Sequence, residues 1–363
     1  MPLGRRAGAG RRRRWRVLAG VLITLSLLAA SAVAVVVWQN DYDLREGHVT
    51  LRHGDTTLDG VLALPGSGDG PFGLVVFVHG DGPMDATHDT FYRPTWESFA
   101  RAGCASLSFS KPGVAGSEGN WLDQSMEDRA DETLAAVAWA RARPDIDGRR
   151  IGLWGASQAG WVMPKVAARD AGLRFVIAVA PAIDWQRQGR YNLLAELRRD
   201  GASDEERAAA LHRRETMLRL LRRGASVEEY HSAMRNAEGP EGSGGNEDMT
   251  ADRWRFIAKN YTSDATADLR AMRGTSVLLV LGGHDTNVDV AETERTYRAI
   301  LPPGTLEVRK FPDATHSLVR HDIERSDTAL TLAALFAPRA LFADGVLTGQ
   351  RRFLERLGQT ERT

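Results

Sequence analysis

Ser157 is the first candidate for chemistry, because it lies where an apolar stretch ends in small residues. Ile151-Gly-Leu-Trp154 is typical of a buried strand, and Gly155-Ala-Ser-Gln-Ala-Gly160 follows directly. We interpret this segment as a nucleophile elbow of the G-x-S-x-G type, in which glycines on both sides of the serine avoid collisions across a sharp strand-to-helix turn. A chance glycine-serine-glycine helix start has the same composition, so other residues must decide between the two.

An acid and a histidine follow two later apolar strands. Asp285 comes after the strand-like Val277-Leu-Leu-Val-Leu281, and His316 comes after Leu306 to Phe311. Parallel sheets place their sites at the carboxyl ends of the strands, so these side chains are expected at one edge with Ser157. His316 would accept the serine proton, and Asp285 would hold the imidazole in the required tautomer.

Alternatives exist for each of these two positions. Asp289 lies in the same turn as Asp285, and His284 and His321 compete with His316. The catalytic interpretation depends on all three residue types appearing in the order Ser157, acid, histidine, since each alone is commonly structural.

The oxyanion of a tetrahedral intermediate needs two aimed donors. We predict the backbone N–H of Gln158, directly after the nucleophile, and that of Asp81 in the loop after the strand Leu74 to Val78. Losing one such donor typically costs roughly 3 kcal/mol of transition-state stabilisation. His79 is expected to order this loop rather than to react.

The same loop offers a competing interpretation as a metal cluster. Its candidate ligands are His79, Asp81, Asp85 and His88, but the loop lacks the paired histidines of common dinuclear hydrolases, and Cys104 is the single cysteine. We therefore expect no metal, and since phosphate-binding glycine motifs are absent from the sequence, no cofactor.

The elements that must position these residues alternate between strand and helix. Continuous apolar strands such as Leu74 to Val78, Ala105 to Phe109 and Phe175 to Ala180 predict a mostly parallel sheet flanked by helices. A helix over Ser125 to Arg141 begins with a capping box from Ser125 and Asp128.

This alternation stops between Trp185 and Asp268, where the residues predict helices and a glycine-rich loop from Glu238 to Asn246. We interpret the segment as a helical cap over the sheet, although ordinary packing helices would have the same pattern. The predicted divisions are a basic N-terminus at 1–16, a transmembrane anchor at 17–38, the first part of the core at 48–184, the cap at 185–268 and the second part of the core at 269–357.

The sequence resembles the α/β-hydrolase superfamily, and within it the bacterial esterase-like branch related to dienelactone hydrolases. The resemblance is carried by His79-Gly-Asp-Gly-Pro-Met-Asp85, Lys111-Pro-Gly-Val-Ala-Gly-Ser117 and Gly155-Ala-Ser-Gln-Ala-Gly-Trp161. It implies the α/β-hydrolase fold and a serine hydrolase. Ser110-Lys-Pro112 departs from the acid-containing sequence common in such proteins, which puts a pocket-shaping role of that loop in doubt.

The N-terminus predicts a membrane location. Seven arginines stand without an acid among residues 1–16, and Val17 to Trp38 is uncharged and long enough to span a bilayer. The positive-inside rule places the N-terminus in the cytoplasm and the catalytic part outside. A cleaved signal peptide, with cleavage sites around Ala32 and Ala34, is the alternative and would give a secreted protein.

The remaining 40 basic residues face 47 acidic ones, so the body is negatively charged and nucleic-acid binding is not expected. We predict a membrane-anchored serine hydrolase that cleaves a small-molecule acyl ester through an acyl-enzyme intermediate. The same residues would also serve a thioesterase, a peptidase or an acyltransferase, and a catalytically silent scaffold that binds ligands is the alternative outside the enzymes. Oligomeric state is not indicated by the sequence.

Overall fold

The structure is a computed structural model that describes residues 7–238, 249–272 and 274–360. The predicted glycine-rich loop therefore lies, after Glu238, outside the described residues. So do Arg5 and Arg6, the first two of the N-terminal arginines.

Eight strands of the described chain form one mixed sheet in the order β1-β2-β4-β3-β5-β6-β7-β8. β1 pairs antiparallel with β2, and β2 pairs antiparallel with β4, whereas all other neighbours are parallel. The strands are β1 (Leu44–His53), β2 (Thr56–Pro65), β3 (Phe72–Val78), β4 (Cys104–Phe109), β5 (Ile146–Ala156), β6 (Phe175–Val179), β7 (Ser276–Gly282) and β8 (Leu306–Phe311).

Helices connect the parallel strands and continue beyond the sheet. In chain order they are α1 (Ala7–Gln39), α2 (Arg93–Ala100), α3 (Met126–Arg141), α4 (Met163–Arg169), α5 (Trp185–Arg199), α6 (Asp204–Arg222), α7 (Val227–Glu238), α8 (Ala251–Asn260), α9 (Thr266–Ala271), α10 (Val290–Ile300), α11 (His321–Glu324), α12 (Asp327–Phe336) and α13 (Val346–Thr360).

The central strands β3 and β6 are apolar along their whole length because helices cover both faces of the sheet. Every residue of β3 and β6 is buried. On one face the core includes Val137 of α3 and Val166 of α4. On the other face it includes Trp96 of α2 and Phe353 of α13. The fold class expected from the sequence is confirmed.

The N-terminal caps of α3 and α5 follow directly from the sequence. Ser125 and Asp128 form the reciprocal capping box that their spacing predicts, and Asp184 caps α5 by accepting from the backbone N–H of Arg187. Such caps typically stabilise a helix by about 1 kcal/mol.

Helices α5 to α8 occupy residues 185–238 and 251–260, where the sequence predicts a cap. α6, α7 and α8 enclose a small core of their own that includes Leu218, Leu221, Tyr230 and Trp254. These three helices therefore have a core that is separate from the two cores of the sheet.

The segment between β8 and α13 departs from expectation. No element was predicted there from the sequence, and the structure contains α11 and α12. Ser326 caps the N-terminus of α12 by accepting from the backbone N–H of Ala329, and α12 packs against α1.

Candidate active site

Ser157 lies at a strained turn between β5 and a short 3-10 helix, Ser157–Trp161, that leads into α4. Its φ of 55° lies in the left-handed region, which costs a non-glycine residue about 1–3 kcal/mol and is held by the surrounding structure. This is the backbone geometry that a nucleophile elbow requires.

The glycine pattern around Ser157 needs one correction. The position two residues after the serine is Ala159, and the second glycine is Gly160, one residue later. A Cβ at Gly155 would lie 2.6 Å from the Ala159 Cβ, and one at Gly160 would lie 2.3 Å from the Ala182 carbonyl oxygen. Ala159 fits because the residue facing it, Gly155, has no side chain.

Asp285 and His316 are in contact. The His316 Nδ1 lies 2.8 Å from Asp285 Oδ2, and the Asp285 side chain is fully buried. The other carboxylate oxygen, Oδ1, accepts from the backbone N–H groups of Asn287 and Val288 at 2.8 and 2.9 Å. Since a carboxylate only accepts, Nδ1 carries the proton and Nε2 is left to accept another.

Ser157 and His316 line the same cavity, whose volume is about 220 Å³. Within the described chain no hydrogen bond joins the Ser157 hydroxyl to the imidazole. The wall is mostly aromatic and aliphatic; it includes Met84, Phe91, Tyr92, Trp154, Val179, Leu318 and Phe342. A cavity of roughly 150 Å³ holds a benzene molecule, so this one accommodates a compact apolar group.

The competing residues have structural roles. Asp289 caps α10 by accepting from the backbone N–H of Glu292. The rings of His284 and His321 stack on each other with centroids 3.8 Å apart. Neither arrangement places these side chains among the residues that line the cavity.

The two predicted oxyanion donors lie on adjacent segments. Gln158 is the second residue of the 3-10 helix, and the first N–H groups of a helix have no partner within it. The Gln158 side-chain amide donates to Asp81 Oδ1 at 3.0 Å, which joins the elbow to the loop after β3. Asp81 itself lines the cavity.

His79 orders this loop, as the sequence suggests. Its Nε2 lies 2.6 Å from the Phe109 carbonyl oxygen and must donate to it, so Nδ1 accepts from the Tyr92 hydroxyl at 3.1 Å. Burial lowers the pKa of His79 to about 3, with the positive charge of Lys111 acting in the same direction. The ring is therefore neutral and fixed in one tautomer.

Two buried cations hold the carbonyl groups of the same loop. The Lys111 ammonium donates to the Gly80 carbonyl oxygen at 2.6 Å, and Arg129 donates to the His79 carbonyl oxygen at 2.6 Å. Arg129 also donates to Gln158 Oε1 at 2.5 Å. In a trans peptide the C=O and the following N–H point in opposite directions, so Lys111 aims the Asp81 N–H away from itself.

Burial lowers the pKa of both Lys111 and Arg129, and the positive charge of Arg129 lowers the pKa of Lys111 further. The negative charges of Glu132 and Asp81 oppose the shift in both groups. Burial likewise raises the pKa of Glu132. Neither Lys111 nor Arg129 was singled out from the sequence, although Lys111 lies in the segment 110–112 noted above as a departure. The structure gives that loop a role in supporting the site.

A residue of α8 reaches the loop after β3. Arg253 of α8 donates to both carboxylate oxygens of Asp81, at 3.1 and 2.6 Å, and its guanidinium lies over the rings of Trp121 and Phe256. Burial raises the pKa of Asp81, but its hydrogen bonds and charge interaction with Arg253 outweigh this and the net shift is downward. Asp81 is thus ionised and paired.

The residues of the competing metal interpretation can be compared with the geometry. The Asp85 carboxylate accepts from the backbone N–H groups of Thr87 and Asp89 in the turn that follows it. Among the described residues no group of three or more histidine, cysteine, aspartate or glutamate side chains is arranged to hold a metal ion.

The sheet order, the strained elbow and the Asp285–His316 pair at its edge define an α/β hydrolase. Solved structures of this fold are similar to the chain: the complex of DcsB with its substrate analogue (TM-score 0.58, 17% identity, 86% of this chain and 99% of that one) and the Pyrococcus furiosus esterase Pf2001 (0.52, 14%, 87% and 90%). The α/β hydrolase GrgF from Penicillium sp. sh18 is also similar (0.53, 21%, 86% and 99%). At these identities the likeness shows the fold.

The chain belongs to the X-Pro dipeptidyl-peptidase (S15) family, whose model matches residues 29–316. A probable dipeptidyl-aminopeptidase B of Sordaria macrospora is 29% identical over 121 residues, and a thiohydrolase, aneE, of Aspergillus aculeatus is 30% identical over 120 residues. These matches cover 31% and 33% of this chain but 13% and 36% of the relatives. The prediction of a serine hydrolase is confirmed at the level of the family.

Proposed function

We propose that the protein is a membrane-anchored serine hydrolase that cleaves a carboxylic ester with a compact, apolar acyl group. The observation that carries the proposal is the arrangement of Ser157 and the Asp285–His316 pair around one cavity. The three side chains have complementary roles: a nucleophile, a base with a free ring nitrogen, and a buried acid that fixes the ring.

The mechanism assigns one task to each group. His316 Nε2 takes the proton of the Ser157 hydroxyl as the oxygen attacks the acyl carbon. Asp285 stabilises the imidazolium that forms. The N–H groups of Asp81 and Gln158 receive the oxyanion, and water then hydrolyses the acyl-enzyme. We expect the serine–histidine hydrogen bond to form when substrate fills the cavity, since such bonds often tighten only in the complex.

The ester is favoured over a peptide by the charges at the cavity. A dipeptidyl-peptidase must bind the ammonium group of its substrate's N-terminus, for which an unpaired carboxylate is suited. Asp81 is the only acid among the described residues that line the cavity, and its carboxylate is engaged by Arg253.

Peptidase activity is the second candidate, because the family is described by it. The apolar cavity would also accept a proline ring. The two candidates differ in the substrate that is turned over, which makes them separable by direct assay.

The anchor is α1, of which Trp15–Gln39 is apolar and long enough to cross a bilayer. The arginines before it support an orientation with the N-terminus in the cytoplasm and the hydrolase outside. The contact of α1 with α12 supports retention of the helix after export.

Full-length protein in detergent should react with a fluorophosphonate probe and hydrolyse p-nitrophenyl esters of short acyl chains faster than glycyl-prolyl-p-nitroanilide. Ser157→Ala should abolish labelling and ester hydrolysis. Ser317→Ala is the matched control, because that serine lines the same cavity. Undiminished labelling of Ser157→Ala would contradict the proposed nucleophile, and preferential anilide hydrolysis would favour the peptidase.

A further inference from the structure

The apolar helix α12 has an uncovered face beside the membrane anchor. Its residues after Asp327 carry no charge. Thr328, Thr331, Leu332 and Leu335 are all exposed, with 51% and 46% of the two leucines accessible. Their spacing of three and four residues places them on one side of the helix. Leu330 and Ala333, on the other side, pack against the core.

This helix packs against the end of α1 that leaves the bilayer. Among the described side chains of α1, only Ala32, Val36 and Gln39 are partly covered. They lie on one face, and α12 is the helix that packs against α1. The remaining described positions of α1 from Trp15 on are exposed.

A single amide joins the ends of the two helices. Asn40 Nδ2 donates to the Val36 carbonyl oxygen of α1 and to the Leu335 carbonyl oxygen of α12, both at 2.9 Å. The Val36 carbonyl also accepts from the backbone N–H of Asn40 at 3.0 Å, whereas the Leu335 carbonyl belongs to the last turn of α12, where carbonyl groups have no partner within the helix. Backbone groups without a partner are costly in a lipid environment, so this bond suits a position at the edge of a membrane.

Arg339 fixes the orientation of the two parts. It donates to the carbonyl oxygens of Gln39 and Asp41 and to both carboxylate oxygens of Glu97 on α2. The chain leaving α1 is thus bound to the hydrolase body, rather than joined to it by a free linker.

The depth of α12 follows from the length of α1. A hydrocarbon core of about 30 Å takes about 20 helical residues, so a span that starts after Arg16 ends near Val36. Ala32 lies about 6 Å below that level at 1.5 Å per residue. A helix packed along Ala32, Val36 and Gln39 therefore lies at the boundary of headgroups and acyl chains.

We propose that α12 is an interfacial helix whose exposed face, Thr328, Thr331, Leu332 and Leu335, docks the hydrolase on the lipid bilayer. The occupant is lipid because α12 packs on the membrane-spanning helix at lipid depth and presents apolar side chains there. The proposal depends on the membrane anchor proposed above, but not on the catalytic roles.

The docked helix is connected to the active site. Leu330 and Ala333 pack against the core cluster that contains Leu318 and Phe342, two residues of the cavity wall. α12 also follows the loop of His316 in the chain. Lipid contact would thus hold the wall of the cavity close to the membrane surface.

The test is nitroxide depth measurement on the full-length protein in lipid nanodiscs. Labels are placed at Leu332→Cys and Leu335→Cys, with Leu25→Cys in α1 as the lipid reference and the exposed Ala208→Cys of α6 as the aqueous reference. Unsubstituted protein gives the background, since Cys104 is buried. The ratio of collisions with oxygen to collisions with a water-soluble nickel chelate reports the depth.

We expect the oxygen-to-nickel collision ratios of the labels at positions 332 and 335 to be several times higher than the ratio at position 208. They should approach the ratio at position 25. An aqueous ratio at 332 and 335 with a lipid ratio at 25 would overturn the docking proposal and leave the anchor intact. An aqueous ratio at 25 would overturn both. Shielding of 332 and 335 from both reagents, with spin–spin broadening, would assign the face to a second copy of the chain and also overturn the proposal.

Discussion

Lys111 and Arg129 bind carbonyl groups of the loop after β3, and each bond holds the peptide plane that also contains the following N–H. Their side chains are 4% and 5% exposed, so the hydrogen bonds to Gly80 and His79 are shielded from water. Arg129 also holds the side chain of Gln158, the residue after the nucleophile. Arg129 thus connects the loop after β3 to the elbow, which are the two segments that carry the proposed oxyanion donors.

We expect Lys111→Met to lower kcat while leaving KM nearly unchanged. The Gly80–Asp81 peptide would lose the bond that aims its N–H, and an oxyanion donor matters in the transition state rather than in substrate binding. Complete loss of one donor lowers kcat by roughly 10²–10³. Steady-state ester hydrolysis measures both constants.

Methionine has a similar length and removes a buried charge, so the variant is expected to fold. Lys165→Met is the matched control, because Lys165 pairs with Asp268 and Glu127 away from the cavity. Lys111→Arg should recover part of kcat by restoring a donor. A rise in KM with kcat unchanged would show that Lys111 shapes substrate binding instead.

The sequence identifies the residues whose position follows from topology. Asp285 and His316 each stand after a buried parallel strand, and parallel strands end at one edge, so their meeting is predictable. Arg129 was missed because its role depends on tertiary contacts. A signal was present: it lies three residues after Met126 and four before Thr133, on the face of α3 that is buried.

Among the elements, the cap helix α8 is connected to the site by the Arg253–Asp81 ion pair. The pair is partly exposed, with side chains 33% and 42% accessible. Such pairs contribute about 1 kcal/mol or less. Its effect on catalysis comes from its position, since an unpaired Asp81 carboxylate would place a negative charge beside the oxyanion.

We expect Arg253→Gln to lower kcat/KM several-fold, in keeping with roughly 1 kcal/mol for a partly exposed pair. Arg255→Gln is the control on the same helix, because Arg255 pairs with Asp252 at the surface. In a double-mutant cycle, Asp81→Asn combined with Arg253→Gln should recover part of the loss. Additive losses in the cycle would contradict the coupling.

Helices and strands could be predicted where the period and length of the apolar pattern in the sequence match the burial of those residues in the structure. The strands of the sheet and helix α3 with its capping box follow from apolar runs and cap residues. α12 was missed, because its exposed apolar face gives no amphipathic pattern for a water-soluble helix. The same exposed apolar face that made α12 unpredictable from the sequence also suggests contact with lipid.

At the scale of the whole molecule, side chains of the body bind the chain that follows α1. Arg339 joins the chain after α1 to Glu97 of α2, and its guanidinium lies 4.5 Å from the ring centroid of Tyr42. α2 also carries Thr95, which lines the cavity. These side chains therefore fix the end of α1 relative to the helix that carries Thr95, and sequence periodicity does not show such contacts.

The stability of the whole molecule should depend on pH through His79. Its pKa is about 3 in the folded protein, because of burial and then the charge of Lys111, against an ordinary value of 6.5. Between these values the unfolded chain binds a proton that the folded chain does not. The free energy of unfolding should therefore fall as pH decreases below 6.5, by about 1.4 kcal/mol per pH unit from this residue.

His79→Gln isolates this contribution. Glutamine can still donate to the Phe109 carbonyl and accept from Tyr92, but it does not titrate. Urea unfolding of both proteins in the same detergent, from pH 7 to pH 4.5, gives the two free energies. We expect the wild type to lose stability more steeply, since carboxylates contribute equally to both. Parallel pH profiles would mean that His79 is protonated in the folded state. The assignment of a neutral ring in a single tautomer would then be wrong.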